Sequence, residues 1–247
     1  MSRDRILDLR PDSYREQILD FHEQNIWIIV YLLVLGADLI AVYNGNENLR
    51  YITKPLLMPL LILFFIFQTK DLASSLKIWI VLALIFSWAG DLLLMFESTN
   101  SNFFIFGLAA FLIAHIFYIL FYENVIRKAG LRKNYWWLLP VIIYYIALIY
   151  ILSPNLGDMK LPVRIYGIVI SYMLIQALQT GRINNFRAAT LMIAGAVLFI
   201  TSDSILAINK FYESFEYAGI AIMLTYGIAQ LLITLGAMRY ISSTSKQ

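Results

Sequence analysis

IWIVLALIFSWAGDLLLMF, residues 78–96, decides how this chain is built. At about 1.5 Å of rise per residue the stretch is long enough to cross a hydrocarbon core of roughly 30 Å. Its one charge is Asp91, placed where a carboxylate costs about 2.5 to 3.5 kcal/mol to insert. A second stretch, LFITSDSILA at residues 198–207, has the same property through Asp203. Two acids inside otherwise apolar spans are the first candidates for a functional site, because an ionisable group in that position needs a reason to be there.

Working outward, apolar runs of spanning length recur at Ile26 to Tyr43, Tyr51 to Gln68, Ile78 to Phe96, Phe103 to Tyr122, Trp136 to Leu152, Leu161 to Leu178, Ala188 to Ile208 and Phe215 to Ala237. The pattern predicts an all-α polytopic membrane protein, a bundle of eight transmembrane helices. Pro55 and Pro59 interrupt the first half of the second run and make it the weakest of the eight, since an internal proline removes a helix hydrogen bond. A hydrophobic fraction of 60%, a mean hydropathy of +0.71 and 14% charged residues agree, because soluble domains are about one quarter charged.

Three regions are expected: a charged cytoplasmic segment over residues 1–25, the transmembrane domain over 26–238 and a short cytoplasmic tail over 239–247. The first region alternates charges of both signs with no apolar core, so it does not read as a cleavable signal peptide. Most of the 19 Lys and Arg fall on the side that would hold both termini, with Arg127, Lys128, Arg132 and Lys133 as the strongest internal anchor. The positive-inside rule then makes both termini cytoplasmic, in a multi-pass protein of a bacterial inner (cytoplasmic) membrane. The net charge of +3 does not imply nucleic acid, since the basic residues sit in short loops between apolar runs. The lipid bilayer is the expected partner.

The chain has no cysteine, which excludes disulfides, thiolate catalysis and Cys-based metal sites. Imidazole could come only from His22 and His115. No covalent nucleophile constellation, glycine-rich phosphate loop or metal-ligand spacing is present, so neither a metal nor another cofactor is expected.

Helical spacing of three and four residues gathers side chains onto common faces. Ser87, Gly90, Asp91 and Leu94 share one, and Gly195, Phe199, Asp203 and Leu206 another. Gly107, Phe111, His115 and Tyr118 repeat the device in the fourth run, and Gly219, Met223, Tyr226, Gln230 and Thr234 in the eighth. Small residues beside an acid let a neighbouring helix approach and cover it. Counted from the helix ends, both acids lie very roughly 7 to 9 Å below the outer boundary, a shared depth that allows a shared pocket. Each also belongs to the third helix of a four-helix half, as in a degenerate parallel repeat.

Either acid taken alone reads equally well as polar glue between helices. Asp38 also lies in the outer part of an outward-running helix, as a third pocket acid or an interfacial residue. Lys54 and Arg164 begin inward-running helices on the outer side, where they either snorkel or contact a phosphate. His115 reads as a satisfied interior residue or as part of the site, and Tyr226 and Gln230 as packing or pocket lining.

Together, Lys54-Pro55, Ser87-x-x-Gly90-Asp91, Gly107-x-x-x-Phe111-x-x-x-His115-x-x-Tyr118, Tyr166-Gly167, Phe199-x-x-Ser202-Asp203 within the run from Gly195 to Ala207, and Tyr226-x-x-Ala229-Gln230 resemble the lysoplasmalogenase family of bacterial YhhN-type proteins and their animal transmembrane relatives. The resemblance covers roughly Lys54 to Gln230. It implies an eight-helix membrane hydrolase that cleaves the vinyl ether bond of a lysophospholipid, lysoplasmalogen, to a fatty aldehyde and glycerophosphoethanolamine or glycerophosphocholine. It also implies that Asp91 and Asp203 carry the activity. Lys54, Ser87, His115, Tyr118, Arg164, Tyr166, Ser202, Tyr226 and Gln230 are the expected substrate-binding residues. The charged segment through Asn25 and the acid Asp38 are not part of that pattern.

Vinyl ether hydrolysis needs a proton on the alkene carbon remote from oxygen and then water on the carbon next to it, which a protonated carboxyl and a carboxylate can supply. Two other readings compete. A transporter or channel would use the same acids for protons or cations. An intramembrane aspartyl protease also pairs two Asp, but Trp88-Ala89-Gly90-Asp91 lacks the first Gly of its Gly-x-Gly-Asp pattern, and no Tyr precedes Asp203.

Overall fold

The computed structural model describes the backbone of residues 11–245 and the side chains of residues 24–245. Helices run α1 Pro11–Tyr43, α2 Glu47–Thr69, α3 Lys77–Met95, α4 Asn102–Lys128, α5 Leu138–Leu152, α6 Lys160–Gln179, α7 Phe186–Phe211 and α8 Ala218–Thr244. Each of the eight expected spans falls on one of these, and each helix, with the short 3-10 turns flanking α5 and α6, is long and apolar enough to cross a membrane. No strand occurs among the described residues. The protein is a multi-pass membrane helical bundle.

Of the charged segment expected over 1–25, residues 1–10 lie outside the described residues, as does the side chain of His22; from Pro11 on the backbone is helical and continuous with the first span. At the other end α8 continues to Thr244, past residue 238, and residues 246–247 lie outside the described residues.

Helix ends follow their local chemistry. Asn46 and Asn185 cap α2 and α7, each side-chain oxygen accepting a backbone N–H three residues on at 3.1 Å. At the end of α4, Gly130 takes φ +63°, and the Leu131 N–H returns to the Ile126 carbonyl at 3.1 Å, closing the helix in a Schellman turn next to Arg127 and Lys128.

The two prolines do not break α2. Pro59 has no N–H, so the carbonyl of Pro55 four residues back loses its helical donor, and an unpaired carbonyl in lipid is costly. The Trp88 indole N–H of α3 fills that place at 2.9 Å, which lets α2 run unbroken and fastens α3 to it.

The two closest helix pairs are α7 with α8 and α3 with α4. Glycine makes both possible. A Cβ on Gly195 would lie 2.6 Å from Ile233 Cγ1 and 2.8 Å from the Ala229 carbonyl, and one on Gly236 would meet Met192 at 2.6 Å. On the other side Gly90 faces the Phe111 ring and Gly107 faces Leu94, again below 3 Å for an added Cβ. Helix α8 touches α1, α2, α3 and α7 and forms the interior of the bundle, whereas α5 packs mainly on α6 and leaves most of its surface to lipid.

Candidate active site

Six helices, α2, α3, α4, α6, α7 and α8, carry the polar interior. Asp91 of α3 is 2% exposed. Its Oδ2 accepts a hydrogen bond of 2.7 Å from the Tyr226 hydroxyl of α8, and its Oδ1 lies 3.8 Å from the Lys54 ammonium of α2. One turn earlier on α3, Ser87 accepts from Gln230 Nε2 at 3.0 Å, and Gln230 Oε1 in turn accepts from Tyr118. Asp203 of α7 accepts from the Tyr166 hydroxyl of α6, and its Oδ2 lies 3.8 Å from His115 Nε2 of α4. The two halves are thus reciprocal: each acid on the third helix of one half reaches a polar ring on the fourth helix of the other.

Aromatic rings join the two acids. Phe199 packs edge-on against His115 at 4.7 Å between centroids and against Tyr226 at 5.5 Å, and Phe111 meets Tyr226 at 5.8 Å. His115 also lies edge-on to Tyr166 at 5.3 Å. Neither of its ring nitrogens has a hydrogen-bond partner.

The acids differ in what they face. Asp203 lines a cavity of about 50 Å³ whose other walls are Leu94, Phe104, Leu108, Phe111, Val163, Tyr166 and residues of the last turns of α7. It also lines a second cavity of about 40 Å³ towards α5, beside Tyr144 and Ser204, which are hydrogen-bonded to each other. Asp91 lines neither; it stands behind the Phe111 and Tyr226 rings. Leu94, one turn along the Asp91 face of α3, does line the first cavity, so the faces of α3 and α7 that bear the acids converge there.

Lys54, Ser87, Asp91, His115, Tyr118, Tyr166, Asp203, Tyr226 and Gln230 therefore form one connected interior cluster. Two other candidates stand apart. Ser202 turns towards α8 and donates to the Ile222 carbonyl at 3.0 Å. Arg164 is exposed at the start of α6, its guanidinium 3.5 Å from Ser153. Asp38, fully buried, accepts from Thr53 Oγ1 at 2.7 Å between α1 and α2, and its second oxygen has no partner. The sequence offers no pattern that picks out Phe104 or Phe211 for the first cavity, where α3, α4, α6 and α7 meet, or Tyr144 for the second, between α5, α6 and α7. Among the described residues no three His, Asp or Glu side chains gather closely enough to hold a metal ion.

A membrane bundle with a polar cluster around two interior acids and an apolar cavity at one of them defines the class. Residues 49–237 match the YhhN family, and the chain belongs to it. Among curated relatives, the lysoplasmalogenase TMEM86B of Rattus norvegicus is 36% identical over 157 residues, covering 64% of this chain and 60% of the relative. Its Homo sapiens counterpart is 35% identical over 160 residues, covering 64% and 62%. A lysoplasmalogenase of Mycobacterium bovis is 33% identical over 162 residues, covering 64% and 59%. The chain thus spans about three fifths of the length of these relatives. No solved structure matches it.

Proposed function

We propose that the protein is a membrane hydrolase that cleaves the vinyl ether bond of lysoplasmalogen, releasing a fatty aldehyde and the glycerophospho headgroup. The observation that carries this reading is Asp203: a carboxyl group opening into an otherwise apolar cavity inside a membrane bundle, with the Tyr166 hydroxyl on its Oδ2. The names of the relatives support the substrate.

The chemistry follows from the arrangement. With the alkenyl chain in the cavity, the Asp203 carboxyl gives its proton to the alkene carbon remote from oxygen, and the double-bond electrons form the new C–H bond. The remaining cation is an oxocarbenium ion, stabilised by the carboxylate now left on Asp203. Water adds to the carbon next to oxygen and returns a proton to Asp203, and the hemiacetal collapses to the aldehyde and the glycerol hydroxyl. Asp91 acts on the same cation from behind Tyr226, because charge interactions reach further in a dry interior than in water. Tyr166 fixes the Asp203 carboxyl with His115 packed beside it, and Lys54 and Tyr226 fix Asp91. The Ser87, Gln230 and Tyr118 chain holds α3, α8 and α4 in register behind the site. The vinyl ether sits in the cavity at Asp203, and the alkyl chain runs out between helices into the bilayer.

The bacterial inner (cytoplasmic) membrane, with both termini cytoplasmic, is the setting in which the distribution of Lys and Arg obeys the positive-inside rule. The acids then lie towards the outer leaflet. The residue test is replacement of Asp203 or Asp91 by Asn, which keeps shape and removes the ionisable group. Asp203→Asn, purified in detergent with an unchanged melting temperature, should lose aldehyde release by at least about a hundredfold, in the range of general acid–base catalysis; Asp91→Asn should also lose activity while still folded, and should melt lower because the buried Lys54 is left unpaired. Near-normal turnover in Asp203→Asn would overturn the mechanism.

A further inference from the structure

At the outer mouth of the Asp203 cavity stands a charged pair that the reaction as described leaves unused. Lys210, at the end of α7, pairs with Glu97, which follows the end of α3. The Lys210 ammonium also lies 5.1 Å from the centre of the Phe104 ring, a cavity wall, and the next residue, Phe211, is another. Asp203 and Lys210 are separated by two helical turns and share one face of α7, with an axial distance of about 10 Å. Neither charge is buried: the side chains of Lys210 and Glu97 are 40% and 28% exposed. An ion pair in that position adds little to stability, so a ligand with opposite charges displaces each partner from the other at small cost.

We infer that Lys210 and Glu97 form the headgroup subsite, Lys210 taking the phosphate and Glu97 the ammonium of a zwitterionic phosphoethanolamine lipid. This rests on the vinyl ether reading of Asp203, and it adds the headgroup to that reading. The spacing fits the substrate. From the alkene carbon that receives the proton to the phosphorus is a chain of seven bonds, each about 1.5 Å, which spans roughly 9 Å when extended. That matches the separation of Asp203 and Lys210 along α7. A phosphate there meets an ammonium already held at the cavity rim by Phe104 through its ring face, and the ethanolamine nitrogen reaches Glu97 as a charge-assisted hydrogen bond. Lys54 is committed to Asp91 deeper in the bundle, and Arg164 is exposed beside Ser153 and lines neither Asp203 cavity, so Lys210 is the cation in contact with a cavity wall.

The test compares two substrates, an alkenyl glycerophosphoethanolamine and the corresponding alkenyl glycerol without phosphate, on the purified full chain and its Lys210→Gln variant. The subsite requires that the ratio of kcat/KM for the first to the second fall about tenfold in the variant, the scale of one charge-assisted contact at a partly exposed site. Glu97→Gln should erase preference for phosphoethanolamine over a bare phosphate monoester headgroup. Direct binding of glycerophosphoethanolamine to the protein, followed calorimetrically, should weaken about tenfold in Lys210→Gln. Aldehyde release with an unchanged ratio and unchanged binding would remove the subsite and leave the hydrolase reading standing. No aldehyde from either substrate with the wild-type chain would remove the hydrolase reading itself, and the binding measurement would then judge the subsite alone.

Discussion

Lys54 is 5% exposed and its nearest counter-charge is Asp91, so the two must be understood as a pair. Breaking a buried pair by removing one partner costs about 3 to 5 kcal/mol, because the other is left uncompensated in an apolar medium. Lys54→Met should therefore lower stability in detergent strongly, and adding Asp91→Asn to that variant should recover most of the loss; strictly additive losses in a double-mutant cycle would contradict the pairing. Much at this scale was legible beforehand. Insertion cost singled out Asp91 and Asp203, and helical spacing placed Leu94 and Leu206 on their faces, both of which line the cavity. What spacing does not carry is direction across the bundle. Lys54 and Arg164 look alike in sequence, each a basic residue early in an inward helix, yet one points to Asp91 and the other to the surface. Lys210 and Glu97 look like ordinary helix-end charges until the ends of α3 and α7 meet at the rim of the cavity.

Between elements, the close approach of α7 and α8 rests on glycines. An added methyl at Gly195 would strike the Ala229 carbonyl and the Ile233 backbone as well as a side chain, so no rotamer change relieves it. Gly195→Ala should cost about 1 to 3 kcal/mol of stability, typical of overpacking. It should also reduce turnover, because Asp203 lies two turns further along the same helix. Gly36→Ala, where nothing lies within 4 Å, is the matched control and should melt like the wild type; equal melting of both variants would count against glycine-set packing. The eight spans were readable from length and apolarity alone. The course of α2 was not: two prolines argue for a break, and only the Trp88 indole, arriving from another helix, restores the missing bond. A donor separated by 33 positions leaves no local mark on the sequence.

For the molecule as a whole, the proposed orientation rests on charge and the proposed function on the cavity. The chain has no cysteine, so single cysteines report topology cleanly. Thr99→Cys, between α3 and α4, should react with a membrane-impermeant maleimide in intact cells, and Ala73→Cys, between α2 and α3, only after permeabilisation; the reverse pattern would invert the topology and move the acids to the cytoplasmic half. The reciprocal contacts of Asp91 with α8 and Asp203 with α4 tie the two halves into one unit, an arrangement hinted at by the acids' shared place on third helices. A transporter could use the same acids, but it would need an ion gradient to do visible work, whereas a hydrolase needs only substrate. The most direct measurement is therefore the product released by purified protein in detergent, without any gradient, from lysoplasmalogen and from an ester-linked lysophospholipid. Proton transfer from Asp203 gives fatty aldehyde from the first, carrying one deuterium on the carbon next to the carbonyl when the reaction is run in heavy water and trapped as it forms, and no fatty acid from the second. Fatty acid from the ester lipid, or no product at all alongside proton or cation flux in vesicles, would contradict it.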